Sequence, residues 1–269
     1  MNRTRMLALA RKDWLELLRN RQALIPVIIV PLIFVVIMPS LIILAGNTSI
    51  ISLPASDLES FAEIFPESMV PDGYTPEQTL VYTAITYMLA PLFLIIPVMI
   101  ASISASSSFV GEKERRTLEG LLYSPLSNRE LVLAKVLASF IPAVAFTWVS
   151  FIIFTVLVNG LAWTLFDGPF FPNWTWALMT VFLVPLVAFL SVLLIVAVSQ
   201  RSTTMQSAQG ASVFLVLPII ALVVSQSSGL LFVDVPVVAA AILVVALVDI
   251  VVFWLVVRSF QREQLLLRM

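Results

Sequence analysis

The side chains that could do chemistry are few in this chain. It has no cysteine and no histidine among its 269 residues. Disulfides, thiolate metal sites, cysteine nucleophiles and imidazole acid–base catalysis are therefore excluded. The phosphate-binding pattern G-x-x-x-x-G-K-[ST] is also absent, because no glycine precedes a lysine. What remains is one run of charged residues and one isolated acid.

The charged run covers residues 111–130 and has the sequence GEKERRTLEGLLYSPLSNRE. Glu112 and Glu119 each lie three or four residues from Arg115 or Arg116, the spacing that allows ion pairs along one helix. We therefore predict a short charged helix. On composition alone, it is either a solvated connection or a docking element.

An apolar patch lies within the same run. Leu118, Leu121 and Leu122 fall on one side of the predicted helix. The Ser-Pro pair at 124–125 ends this helix, and Ser127 with Glu130 forms a capping box that begins the next.

The isolated acid is Asp249, which lies near the middle of an apolar run. An ionised carboxylate in a bilayer costs on the order of 3 kcal/mol or more, so such residues face a cavity or a partner. Asp249 is a candidate intramembrane polar site that contacts a cation or polar cargo, or carries a proton. The alternative is an acid that packs protonated or hydrogen-bonded against a neighbouring helix.

The elements that must position these residues are long apolar runs. The chain is 60% hydrophobic and 12% charged, with a mean hydropathy of +1.05. A helix needs about 20 residues to cross a bilayer, whereas a barrel strand needs about 10 residues of alternating polarity. The runs here are long and do not alternate, which predicts an all-α integral membrane protein with a single transmembrane domain over 1–269. The six predicted spans are 24–45, 80–103, 136–158, 175–199, 211–227 and 236–257.

Charge separates by compartment along these spans. All 15 basic residues lie in the N-terminal arm, the 104–135 connection, the connection after the fourth span and the C-terminal tail. The other loops have none, and carry instead Asp57, Glu59, Glu63, Glu67, Asp72, Glu77, Asp167 and Asp234. The positive-inside rule then places both termini in the cytoplasm, in a multi-pass protein of the cell membrane.

Two further segments are predicted to lie at the membrane surface. Residues 4–21 form an amphipathic helix, which is either an elbow helix docked on a cytoplasmic partner or a simple membrane anchor. Residues 46–79 form an extracytoplasmic loop, in which a second amphipathic helix covers a cavity mouth, contacts an external partner or packs on the interface.

The run GEKERRTLEGLLYSPLSNRELVLAKVL resembles the signature of ABC-2 type permeases, the membrane subunits of certain ATP-binding-cassette transporters. In that family a charged stretch ending in Thr-Leu-Glu precedes two leucines and a proline, and a lysine follows near the membrane entry, matched here by Lys135. The N-terminal ARKDWLELLRNRQ similarly resembles the family's elbow helix.

The resemblance implies a coupling helix over 111–122 that sits in a groove of a separate cytoplasmic ATPase. It also implies a second permease subunit, identical or different, and export as the usual direction. ATP would be bound by the partner, so the chain itself needs no cofactor and is not expected to be an enzyme or to bind nucleic acid. The residues assigned to coupling are Glu112, Glu114, Arg115, Arg116, Thr117, Leu118, Glu119, Leu121 and Leu122.

Two other classes of function remain open on sequence grounds. A membrane scaffold or assembly subunit would show the same spans without transport. An intramembrane enzyme is disfavoured because only Asp249 lies within a span and no second acid accompanies it.

Overall fold

The computed structural model describes residues 21–46, 65–66, 69–114, 128–199 and 201–259. Within these ranges the regular secondary structure is helical throughout. Among the described residues, six helices are long and apolar enough to cross a membrane, which confirms the predicted all-α architecture with six candidate spans. They are α1 (Ala23–Gly46), α2 (Pro76–Phe109), α3 (Leu133–Leu161), α4 (Trp174–Ser199), α5 (Met205–Ser227) and α6 (Val235–Arg258).

Each predicted span falls within one of these helices, but several helices extend further than hydropathy indicated. Helix α2 begins at Pro76, within the predicted loop 46–79, because Thr75 and Gln78 form a capping box and proline suits the first helical position. Helix α5 begins at Met205 rather than near 211, because Thr204 caps it. Polar capping residues fix these boundaries, whereas hydropathy detects only the apolar middle of each helix. The predicted elbow helix at 4–21 and most of the loop lie outside the described residues.

Helix α2 is the centre of the bundle. It packs against α1, α3, α4 and α5, and 78% of its most apolar stretch is buried within the protein. Helix α6 lies at the periphery, with only 11% of its most apolar stretch buried, and packs chiefly against α4. The outward faces of α1, α3, α5 and α6 carry large exposed aliphatic side chains, as a lipid-facing surface requires.

Three membrane helices contain a short π-helical turn just before a proline. The turns are Leu32–Ile37 before Pro39, Ala84–Met88 before Pro91, and Met179–Leu183 before Pro185. In this register an N–H bonds to the carbonyl five residues earlier, as Val184 N–H does to Met179 O. The residues five positions after Thr86 and Thr180 are Pro91 and Pro185. Since proline has no N–H, neither can donate to these carbonyls in the π-helical register.

Tryptophan side chains of neighbouring helices donate hydrogen bonds to both of these carbonyls. Trp176 Nε1 of α4 donates to Thr86 O at 2.8 Å, and Trp148 Nε1 of α3 donates to Thr180 O at 3.0 Å. A buried unpaired carbonyl in a bilayer is expensive, so each indole stabilises a helix irregularity while it joins two helices. At these two positions the prolines serve packing between helices.

Asn159 organises the turn between α3 and α4. Its amide nitrogen donates to Phe171 O at 2.6 Å, and its amide oxygen accepts from the backbone N–H groups of Phe170 and Phe171 at 3.1 and 3.2 Å. The turn is thereby fixed to the end of α3. As a result Phe171 is buried against Trp176, with ring centroids 5.0 Å apart.

Candidate functional site

The candidate coupling segment follows α2 directly. Residues Gly111–Glu114 form a short helix, and the chain is described again from Asn128, where the helix that contains α3 begins. Glu112 and Glu114 lie in the short helix. The other predicted coupling residues lie outside the described residues: Arg115, Arg116, Thr117, Leu118, Glu119, Leu121 and Leu122.

Glu114 makes a specific contact with the start of α5. Its Oε2 accepts a hydrogen bond from the backbone N–H of Met205 at 3.1 Å. The first N–H groups of a helix have no partner within the helix, and the helix dipole favours a negative charge there. The carboxylate of Glu114 therefore stabilises the first turn of α5, although the two residues are distant in sequence.

Two further contacts join the same elements. A Cβ built on Gly111 would lie 3.2 Å from Met205 Sδ, so the methionine side chain packs closely over this glycine. One turn further along α5, Gln209 Nε2 donates to Ser106 Oγ of α2 at 3.0 Å. Gly111, Glu114, Met205, Gln209 and Ser106 thus form one joint between α2, the start of the coupling segment and α5, which we term the α5 joint.

Lys135, near the start of α3, contacts the end of α2. Its side chain is buried, donates from Nζ to Ser108 O and lies over the ring of Phe109 at 5.4 Å. Because Ser108 and Phe109 are the last residues of α2, the helix end that enters the segment and the helix that leaves it are connected. Helices α2 and α3 are therefore joined to each other at this point.

Asp249 is the second candidate site. Its side chain is 4% exposed, and neither carboxylate oxygen has a hydrogen-bond partner among the described residues. It lies on the face of α6 that packs toward the bundle, whose other members are the aliphatic residues Val238, Ala241, Ile242, Val245, Val252 and Val256. A carboxyl group among these aliphatic side chains packs no better than an aliphatic side chain would.

The helix that faces Asp249 supplies no charge. Helix α6 packs on α4, and Phe189 of α4 lies 6.1 Å from Phe253, one turn beyond Asp249. Between Trp174 and Ser199, α4 contains no titratable residue. Among the described residues, Asp249 is therefore a buried carboxyl whose oxygens are available to a proton, a cation or an external donor.

The joint around Met205 was not predicted from sequence. The available signal was Thr204 followed three residues later by Ser207, a capping pattern that places a helix start outside the apolar run. The pairing of that helix start with Glu114 has no local signal, since it depends on how α2 and α5 pack.

The described residues form a bundle of membrane helices, and the charged connection between α2 and α3 lies at one end of that bundle. Within the described residues no group of three or more acids could hold a metal ion. The structure thus belongs to the class of polytopic membrane proteins.

The chain belongs to the ABC-2 transporter family. The family described as ABC-2 family transporter protein matches residues 7–234, which include α1 to α5 and the whole of the candidate segment 111–122. No curated protein shows a significant sequence similarity to the chain. Since this family comprises membrane subunits of ATP-binding-cassette transporters, the chain is a membrane permease of that type. Helix α6 and Asp249 lie beyond the matched residues.

Proposed function

We propose that the chain is the permease subunit of an ATP-driven exporter, with both termini in the cytoplasm and the 111–122 segment docked on a separate ATPase. The observation that carries the proposal is the charged segment between α2 and α3, which starts from a base fixed by Lys135 and Glu114. A rigid base is what a docking helix needs if movement of the partner is to reach the membrane helices.

Charge distribution supports the orientation. The end of the bundle where α2 ends and α3 and α5 begin carries Lys135 and Arg201, and Arg258 lies at the end of α6 over the ring of Trp254 at 3.7 Å. The opposite end carries Asp72, Asp167 and Asp234. A second permease subunit, identical or different, would complete a translocation path in the cell membrane.

Two measurements test the proposal: whether an ATPase associates with the chain, and on which side of the membrane its loops lie. An ABC ATPase should co-purify in comparable amounts when the tagged chain is purified from its native membranes. Because the chain has no cysteine, Asp72→Cys and Thr203→Cys can be compared with a membrane-impermeant maleimide. Both positions are exposed, and only the first should label in intact cells. Equal labelling of the two would overturn the orientation, and a chain purified without ATPase would favour a scaffold role.

Asp249 supplies, in this proposal, a polar contact for a cation or a hydrogen-bond-donating group of the cargo. Asp249→Leu should keep or raise the melting temperature of the purified chain, because it removes a buried group whose desolvation costs about 1–3 kcal/mol. Asp249→Asn keeps the shape but removes the charge, and should lower ATP turnover of the reconstituted complex several-fold. A lower melting temperature with unchanged ATP turnover in both variants would instead identify Asp249 as a packing group.

A further inference from the structure

The α5 joint connects the start of the coupling segment to a membrane helix that follows it by some 90 residues. Three independent contacts define it: the hydrogen bond of Glu114 with Met205 N–H, the packing of Met205 over Gly111, and the hydrogen bond of Gln209 with Ser106. Ala208, between the two α5 contacts, is fully buried. The joint is therefore a packed contact reinforced by hydrogen bonds at both of its ends.

Helix α5 leads from this joint across the membrane and contains a 3-10 turn at Gly210–Ser212 and a proline, Pro218. It runs from Met205 to Ser227, and its first turn is both the part that Glu114 contacts and the part that Thr204 caps. Backbone hydrogen bonds continue through the 3-10 turn, from Gly210 N–H to Gln206 O and from Val213 N–H to Gly210 O, and join the first turn of α5 to the rest of the helix. Displacement of the Gly111–Glu114 helix would thus move α5 along with α2.

From this geometry we infer that Glu114 is a positioning residue, which connects the coupling segment to α5 rather than contacting the ATPase. The inference rests on the proposed function and deepens it, since it assigns α5 as a second membrane helix, beside α2, that responds to ATP. The charge of Glu114 is satisfied within this chain by the N-terminus of α5. The carboxylate is exposed at its rim, so it holds the joint while remaining at the surface.

The first test needs no ATPase. In the purified chain, Glu114→Ala should speed amide hydrogen exchange across 205–209 by about tenfold, the scale of one charge-assisted contact at a helix start. Glu114→Gln keeps an oxygen that can accept from Met205 N–H and should restore most of the protection. Exchange in Glu114→Ala equal to that of the unmodified chain would overturn the joint itself, whatever the protein's function.

The second test asks whether the joint transmits movement. Spin labels at Gly160→Cys and Ser228→Cys, both exposed, report the distance between the far ends of α3 and α5 in the ATPase complex. ADP–vanadate should change this distance in the labelled chain that retains Glu114. Glu114→Ala should reduce the change at least twofold, and the ATPase should still co-purify with this variant. Thr204→Ala is the matched control: it removes a cap of the same helix without touching the coupling segment, so the change should persist.

The outcomes separate the two proposals. A full vanadate response in Glu114→Ala, or an equal loss in Thr204→Ala, would overturn the positioning role of Glu114. Loss of ATPase co-purification in Glu114→Ala would also overturn it, since Glu114 would then be a docking residue. An unmodified chain that binds no ATPase would instead overturn the proposed function, and with it the positioning role of Glu114 in coupling. The hydrogen-exchange result would still decide whether the α5 joint exists.

Discussion

Leu118→Asp and Leu122→Asp should each abolish co-purification of the ATPase. The proposal places both leucines in the apolar patch of the coupling helix, within a groove of the partner. Loss of a buried leucine removes about 1.5–3 kcal/mol, and burial of an unpaired carboxylate adds a further penalty. Since each 1.4 kcal/mol is a tenfold change in affinity, binding should fall by about 100-fold or more.

The measurement is the ratio of ATPase to permease after affinity purification and size-exclusion chromatography. Leu230→Asp is the matched control, because Leu230 is 81% exposed at the opposite end of the bundle. It makes the same chemical change and should leave the ratio unaltered. If both coupling variants bound ATPase as well as the control does, the assignment of 111–122 as the coupling helix would be wrong.

Trp176→Ala should be the most destabilising single substitution among the described aromatic residues. Trp176 is fully buried and stacks on Phe154 and Phe151, with ring centroids 5.1 and 6.0 Å away. Loss of a large buried ring costs about 3–5 kcal/mol through the cavity it leaves. The substitution also leaves Thr86 O without its indole donor, which adds about 1–3 kcal/mol.

Thermal unfolding of the purified chain in detergent measures this effect. Trp174→Ala is the matched control, since Trp174 lies two residues earlier in the same helix but is 79% exposed, and its loss should have little effect. Trp176→Phe separates the two contributions, because it keeps most of the ring and removes the hydrogen bond. A melting temperature for Trp176→Ala equal to that of the control would show that the aromatic cluster does not support the fold.

The predicted positions of the six helices needed only local information. A run of about 20 apolar residues is identified by its own composition. The caps of α2 at Thr75 and of α5 at Thr204 were both missed because polar residues separate them from the apolar runs, although Pro76 and Gln78 mark the first cap locally. The family resemblance likewise came from one continuous charged motif, and the match over 7–234 confirms it.

The candidate site was predictable only as a set of residues. Asp249 stands out in the sequence as a lone charge in an apolar run, but its burial against α4 depends on which face of α6 packs inward. Glu114 is predicted from sequence to contact an ATPase, and the structure adds a contact that the sequence did not predict, the hydrogen bond from Met205 N–H to its carboxylate. Charge at a surface position does not specify a partner, because several partners satisfy a carboxylate equally well.

By itself, the sequence determined six helices that are long and apolar enough to cross a membrane and the family to which the chain belongs, and it predicted that the basic connections share one side. These properties follow from the thickness of hydrocarbon and from charge near each span, both of which are local. Only the tertiary structure decided that α2 is central and that tryptophans donate hydrogen bonds to the carbonyls of Thr86 and Thr180. It also decided that Glu114 accepts a hydrogen bond from the first turn of α5. In a bilayer nearly every helix face is apolar, so hydropathy cannot predict which helices pack together. Close packing and the pairing of exposed backbone groups determine the neighbours.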